Sequence, residues 1–250
     1  NISIETHPYI ATGLRDNKFG IDLDSFDELL AICLKNKDIL QVKGISLHLG
    51  SQMLEFSPIG DSIRKLKDYF LKLREHFPEC KCFDVGGGVG IFYDKQDLQL
   101  ENELLQKYAE VVLSETQDLK DSIQDLEIQS EPGRWLVAHA GVLLAQVQYV
   151  KKTPYKTFVI LDTGMNHLLR PSLYEAFHEV LPLIEQNNRD SMNCEVVGPI
   201  CESSDFIAKD RKIKEIKQDE FIVIADCGAY GASMSNDYNL QPRAREVIIY

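Results

Sequence analysis

Glu131-Pro132-Gly133-Arg134 places a carboxylate, a tight Pro-Gly bend and a guanidinium within four consecutive residues. Such a group can hold a proton, aim backbone amides at an anion and pair with a carboxylate. Other stretches offer related chemistry. His48-Leu49-Gly50-Ser51 sets an imidazole on one side of an alternating run and a small hydroxyl just beyond it. Gly86-Gly87-Gly88 follows a strand-like run, so bare backbone could approach a phosphate, or the run could simply be a sharp turn. It lacks the Lys-Ser/Thr ending of a P-loop and is not a GxGxxG fingerprint. Asp162-Thr163-Gly164-Met165-Asn166 leads into Leu169-Arg170-Pro171, with proline in the first turn of a helix and Arg170 and Tyr174 on one face. Pro199-Ile200-Cys201-Glu202-Ser203 puts a thiol beside a carboxylate, and Asp226-Cys227-Gly228-Ala229-Tyr230-Gly231 ends an apolar run in a glycine-flanked aromatic. Taken singly, each block fits a turn, a helix start or a packed core residue equally well.

The elements that must carry these blocks fall into two textures. Lys18 to Leu23 reads as a short strand, and Asp24-Ser25 as the cap of a helix with Phe26, Leu29, Leu30, Cys33 and Leu34 on one face. Gly44 to Leu49 alternates, with Ile45, Leu47 and Leu49 opposite Ser46 and His48. A helix follows, its stripe made by Ile59, Ile63, Leu66, Phe70, Leu73 and Phe77. Lys81 to Val85 is the next strand, followed by a helix bearing Leu104, Tyr108, Val111, Val112 and Leu119, and Leu126 to Glu131 is the last strand of the series. Repeated βα units call for a parallel sheet, open or closed. His48, Asp84 and Glu131 sit on polar sides near strand ends, which suits the mouth of a (β/α)8 barrel rather than a sheet buried on both faces. About four units are present where a closed barrel needs eight, so the other half is expected upstream of Asn1. Both chain ends read as cut.

From Gly141 the run becomes β-rich. Val142 to Val150, Phe158 to Leu161, Glu195 to Val197, Phe221 to Ala225 and Glu246 to Tyr250 are expected strands, with helical insertions at Pro171 to Leu181 and Pro182 to Gln186. The expected organisation is residues 1–140 as the C-terminal half of an α/β barrel and residues 141–250 as a mostly-β barrel or sandwich, the boundary falling within about ten residues of Ala140.

Twenty-seven Lys and Arg against 39 Asp and Glu give a net charge of −12 with no basic stripe, which argues against nucleic-acid or anionic-membrane binding. No apolar run could span a bilayer, and there is no signal-peptide pattern. The six cysteines have no zinc-knuckle spacing and read as free thiols in a reducing cytoplasm, with no metal site.

His-Leu-Gly-Ser-Gln at 48–52, the triple glycine, Glu-Pro-Gly-Arg, Gly-Met-Asn with Arg-Pro, Gly-Pro-Ile-Cys-Glu-Ser and Gly-Ala-Tyr-Gly occur in one order and spacing. In these blocks the chain resembles the diaminopimelate decarboxylases of the fold-type III pyridoxal-phosphate enzymes, from Thr6-His7-Pro8-Tyr9 to Tyr250. The resemblance implies an alanine-racemase-like TIM barrel with a β-domain, pyridoxal 5'-phosphate as cofactor, and decarboxylation of meso-diaminopimelate to L-lysine at the end of lysine biosynthesis. It implies that His48 stacks on the cofactor ring, that Glu131 faces the ring nitrogen, and that Ser51, Gly88 and the backbone of Pro132, Gly133 and Arg134 hold the phosphate. Tyr230 becomes a further cofactor and substrate contact. Cys201 becomes the acid that returns a proton to Cα, reaching across from the partner of a homodimer whose active sites lie at the interface. The far end of the substrate carries a carboxylate and an ammonium, which Arg134 and Arg170, Glu202 and the Tyr174 hydroxyl can bind. Ornithine decarboxylases carry Asp after the cysteine, whereas Glu202 stands here. The family's Schiff-base lysine lies in a Lys-Ala-Asn-like motif that these 250 residues lack, so it too is expected upstream. Two alternatives stay open: a non-catalytic homologue acting as a binding or regulatory protein, and a decarboxylase of another basic amino acid.

Overall fold

The structure, a computed structural model, describes residues 18–94, 97–185 and 187–249. They fall into two compact units, one of residues 18–91 and 97–134, the other of residues 92–94 and 135–249 with the gap at 186. Thr6-His7-Pro8-Tyr9 lies outside the described residues.

In the first unit three strands, β1 (Gly44–Ser46), β2 (Cys82–Gly87) and β3 (Glu127–Glu131), form a parallel sheet in the order β1-β2-β3. Ile45, Phe83 and Ile128 stand in register, and beside them Ser46, Asp84 and Gln129. Because side chains alternate along a strand, the first row turns to one face and the second to the other. Helices α1 (Phe26–Lys35), α2 (Ser57–His76) and α3 (Leu98–Ser122) complete the unit. The α2 stripe buries Ile59, Ile63, Phe70 and Leu73, and Phe70 meets Phe83 edge-on at 5.3 Å between ring centroids. Each such fully buried aromatic contributes about 1.5–3 kcal/mol. Pro58 opens α2 in its first turn, and the helix closes before Pro78 with the Phe77 N–H on the Leu73 carbonyl. Asp97 caps α3, its carboxylate accepting from the Gln99 and Leu100 amides at 3.0 and 3.2 Å. On the polar face the Ser46 hydroxyl donates to Asp84 Oδ2 at 3.1 Å.

Two sequence expectations fail in this unit. Lys18 to Leu23 is not a strand: Gly20 takes φ +69°, which breaks an extended run, and Phe19 and Ile21 are exposed. The cap of the first helical segment is Asp22, whose side chain accepts from the Asp24 amide, while Ser25 makes no side-chain cap.

The second unit is a six-stranded sheet of β4 (Leu143–Lys152), β5 (Thr157–Leu161), β6 (Val180–Pro182), β7 (Ser191–Val197), β8 (Phe206–Lys214) and β9 (Phe221–Ile224), ordered β6-β9-β4-β5-β7-β8. It is barrel-like and near closure. Strand β4 makes the corner: Leu143 to Gln146 pair with β9, Val147 to Lys152 pair with β5, and the register shifts between Val147 and Tyr149. Val147, Val159, Leu161, Val196, Ile207, Ile222 and Ile224 point inwards as one apolar core. Thr153 closes the β4–β5 hairpin, its hydroxyl accepting from the Tyr155 and Lys156 amides.

The helical insertion expected at Pro171 to Leu181 shrinks to α5 (Arg170–Tyr174), because Glu175 takes a left-handed conformation at φ +53° and the chain then enters β6. No helix forms over the described part of Pro182 to Gln186, where Pro182 closes β6. Residues 246–249 lie in no strand, with Val247, Ile248 and Ile249 exposed. Strand β8 was not legible: it is an edge strand, so Lys209, Asp210, Lys212 and Lys214 sit in solvent while Ile207, Ala208 and Ile213 face the core. A short helix, α4 (Gly133–Val137), runs across the division between the units, and α6 (Gly231–Met234) follows β9.

Candidate active site

In the first unit the C-terminal ends of the three parallel strands lie side by side, the arrangement in which α/β sheets place ligands. His48 and Glu131 are exposed just beyond β1 and at the end of β3, while Leu47 and Leu49 are buried as the alternation requires. The triple glycine is explained by backbone approach. A Cβ on Gly86 would meet the Leu47 carbonyl, one on Gly87 the Glu131 carbonyl, and one on Gly88 the Gly50 carbonyl. Gly86 lies at φ +67° with its N–H on Asp84 Oδ1 at 2.8 Å, and the β2–β3 register shifts between Asp84 and Gly87. The Gly88 carbonyl accepts from the Met53 amide at 2.8 Å, which ties the loop bearing Ser51 to the end of β2.

Gly133 differs from these glycines. It opens α4 right after Pro132, and a Cβ there would meet nothing within 4 Å. Arg134 is buried, 5% exposed, and its Nη2 donates to the Ser51 hydroxyl at 2.8 Å. Ser51 and Arg134, 83 residues apart in the chain, are thus joined directly.

The second unit carries the remaining candidates. Arg170 begins α5 and is buried, and Tyr174 at its other end is half-buried. The Arg170 Nη1 lies 2.8 Å from His178 Nε2, and its guanidinium carbon stands 4.7 Å over the Tyr93 ring. Cys201 and Glu202 are exposed, and Glu202 Oε2 accepts from the Tyr238 hydroxyl at 3.1 Å. That hydrogen bond, with the negative charge of Glu202 and the neighbouring Cys201, holds the Tyr238 phenol above its ordinary range. Tyr230 is 40% exposed and takes φ +66° at the entry to α6. Cys201 is exposed, whereas Cys80, Cys194 and Cys227 are buried, and burial pushes the thiols of these three up to about 11, about 11 and about 12. Those three are protonated packing residues at neutral pH.

Sequence reasoning missed three residues that hold this unit's candidates in place. Asp205 is 4% exposed, and its two carboxylate oxygens accept from the Met165 amide at 2.6 Å and the Ile200 amide at 2.7 Å. It therefore fastens the loop that leads into Arg170 to the loop that carries Cys201 and Glu202. A Cβ on Gly164 or on Gly198 would run into the Asp205 carboxylate, so both glycines of the motif blocks are there to admit it. Burial holds the Asp205 carboxyl above its ordinary range, against the smaller downward pull of the two amide donors. Glycines at 164 and 198 flanking an acid in the same loop system were the available signal. His178 and Tyr238 had none, since neither stands in one of the motif blocks.

Residues 20–228 match the sequence model of the family described as pyridoxal-dependent decarboxylase, C-terminal sheet domain. The diaminopimelate decarboxylase of Aquifex aeolicus is 38% identical over 255 aligned residues, which take in 100% of this chain and 57% of that protein. That of Campylobacter jejuni is 39% identical, with 100% of this chain and 59% of the relative covered. Among solved structures, a point mutant of diaminopimelate decarboxylase from Helicobacter pylori complexed with L-lysine superposes with a TM-score of 0.81 at 38% identity, over 97% of this chain and 58% of that one. The enzyme of Methanocaldococcus jannaschii in co-complex with L-lysine gives 0.82 at 36%, over 97% and 55%. The chain therefore spans somewhat over half the length of the relatives it matches. With the family match covering most of its residues and the same fold in relatives more than a third identical, the chain belongs to the pyridoxal-dependent decarboxylase family of the fold-type III enzymes.

Proposed function

We propose that the polypeptide carrying this chain is a pyridoxal-phosphate-dependent diaminopimelate decarboxylase, releasing CO2 from meso-diaminopimelate to give L-lysine. One observation carries this reading. Asp205 binds two loops together at their amides, so that a thiol, a carboxylate and a guanidinium (Cys201, Glu202 and Arg170) are borne on one braced loop system. A proton donor, a group for an ammonium and a group for a carboxylate are what a substrate with an amino-acid end remote from its reacting centre requires. The full-length relatives of similar sequence are diaminopimelate decarboxylases, and two of the similar structures hold L-lysine.

The first unit fits the cofactor at Gly133. The triple glycine is consumed by neighbouring backbone, whereas the space before Gly133 is open and lies at the start of a helix. We assign the phosphate to the backbone of Gly133 and Arg134 with Pro132, Ser51 and Gly88 alongside, the ring face to His48, a further contact to Tyr230 and the ring nitrogen to Glu131. Pyridoxal phosphate supplies the electron sink that stabilises the carbanion left at Cα when CO2 departs. Glu131 would hold a proton on the ring nitrogen of the bound cofactor. Cys201, an exposed thiol, delivers a proton to Cα. Arg170, with the Tyr174 hydroxyl, binds the remote carboxylate, and Glu202 binds the remote ammonium, its orientation set by Tyr238. Arg134 is the second guanidinium assigned to a substrate carboxylate.

On this reading residues 1–140 belong to the cofactor-binding barrel and residues 141–250 to the β-domain. The protein is a cytoplasmic homodimer in which the braced loops serve two sites, Arg170 its own and Cys201 the partner's; a monomer by sedimentation under turnover conditions would remove that part. Among the described residues no helix is long and apolar enough to cross a membrane. The test of the whole reading is CO2 release by the full-length polypeptide with pyridoxal phosphate. Turnover of ornithine or arginine but not meso-diaminopimelate would refute the substrate, and binding without turnover of any of them would leave a non-catalytic homologue.

A further inference from the structure

His178 is fully buried, and its two ring nitrogens have opposite partners. Nδ1 lies 2.8 Å from the Ala225 carbonyl oxygen, which can only accept, so Nδ1 must carry the hydrogen. Nε2 lies 2.8 Å from Arg170 Nη1, which can only donate, so Nε2 must present its lone pair. The imidazole is therefore neutral and fixed as one tautomer, because a second ring proton would point at a guanidinium N–H. Tyr93 closes the arrangement. Its ring packs edge-on against His178 at 5.3 Å and lies 4.7 Å below the Arg170 guanidinium carbon. The guanidinium of a 6% exposed arginine is thus held edgewise by a lone pair and on its face by an aromatic ring. The short α5 makes this possible: Glu175 ends the helix in the left-handed region, and the chain doubles back to bring residue 178 beneath residue 170.

We propose that His178 is a positioning residue that, as the neutral Nδ1–H tautomer, aims the Arg170 guanidinium and so sets the affinity of the site for the substrate's remote carboxylate. This rests on Arg170 being the carboxylate ligand of the proposed decarboxylase. The role differs from packing in what its loss does: removing the Nε2 lone pair takes away the acceptor that sets the direction of the guanidinium, which weakens substrate binding more than it slows the chemical step.

The experiment uses the full-length enzyme saturated with pyridoxal phosphate. His178→Leu is expected to raise KM for meso-diaminopimelate about tenfold or more, the effect of losing one hydrogen bond to a charged group, with a smaller change in kcat. His178→Gln, whose Oε1 can accept from Arg170, is expected to restore most of the affinity. In an Arg170→Ala background His178→Leu should add no further rise in KM, since its effect is routed through that arginine. An unchanged KM in His178→Leu, or an equal penalty with and without Arg170, would overturn the proposal. The 15N spectrum of histidine-labelled wild type provides a readout independent of turnover and of whether the leucine variant folds. A protonated Nδ1 with a bare Nε2 is expected for His178, and an Nε2–H signal would overturn the assignment. Wild type inert towards diaminopimelate but showing the Nδ1–H tautomer would count against the functional reading alone.

Discussion

Replacing Asp205 by Asn changes almost no volume and removes one acceptor at a place that needs two. In the native loop Oδ1 takes the Met165 amide at 2.6 Å and Oδ2 the Ile200 amide at 2.7 Å, with the side chain shut away from solvent. An asparagine can satisfy one of these amides with its oxygen; its NH2 group then faces the other N–H, donor against donor. One hydrogen bond to a charged group, worth about 1.5–3 kcal/mol, is lost, and one buried amide is left unpaired at a cost of about 1–3 kcal/mol. Relief of the buried charge, visible in the upward push that burial gives this carboxyl, offsets part of that. The net expectation is a destabilisation of roughly 2–4 kcal/mol. The loops cannot shift to help, because Gly164 and Gly198 already pack against the carboxylate. Urea unfolding of the full-length protein measures the loss. Amide hydrogen exchange locates it, since the Met165 and Ile200 amides should exchange faster in the variant than in wild type while amides of β4 and β5 follow the global change. A variant within about 0.5 kcal/mol of wild type, or one in which those two amides keep their protection, would refute the clamp.

The glycines make a second prediction by contrast. Gly133→Ala should leave the stability of the cofactor-free protein within about 0.5 kcal/mol and weaken pyridoxal phosphate binding, whereas Gly87→Ala, whose Cβ would strike the Glu131 carbonyl, should cost roughly 2 kcal/mol or more of stability. Chemical denaturation and cofactor titration of the two variants check this, and like behaviour would contradict it. The third concerns Arg189 and Glu220, which form a two-bonded pair with both N···O distances 2.7 Å. The hydrogen bond from Arg189 holds the Glu220 carboxyl below the usual glutamate range. A depressed carboxyl contributes stability that is present above the unfolded pKa and lost as pH falls through the folded one. Glu220→Gln should therefore be less stable than wild type by about 1 kcal/mol at neutral pH, the scale of a partly exposed pair, and the gap should close as the medium is acidified through and below the glutamate range. A gap that widens in acid would reverse the sign of the argument.

What could be read from the sequence divides along the range of the interactions involved. The stripe of α2 and the alternation around β1 were legible because burial follows a period set by local geometry, and Ile59, Ile63, Phe70, Leu47 and Leu49 are buried accordingly. Lys18 to Leu23 misled because a single residue, Gly20, decides the run by a backbone angle that an apolar pattern does not encode. Strand β8 escaped because an edge strand needs only one apolar side, and its lysines look like a loop until β7 is known to pair with it. The motif blocks behaved likewise. Cys201, Glu202, Arg170 and Glu131 announce themselves by type, since a thiol, carboxylates and a guanidinium among glycines suggest chemistry wherever they occur. The residues that orient them carry no such mark. His178 owes its tautomer to a carbonyl 47 residues away, and Asp205 binds an amide 40 residues upstream. A group that touches substrate must have a particular chemistry, which is visible in one letter of sequence; a group that aims it needs only the right partner at the right distance, and that is a property of the folded chain.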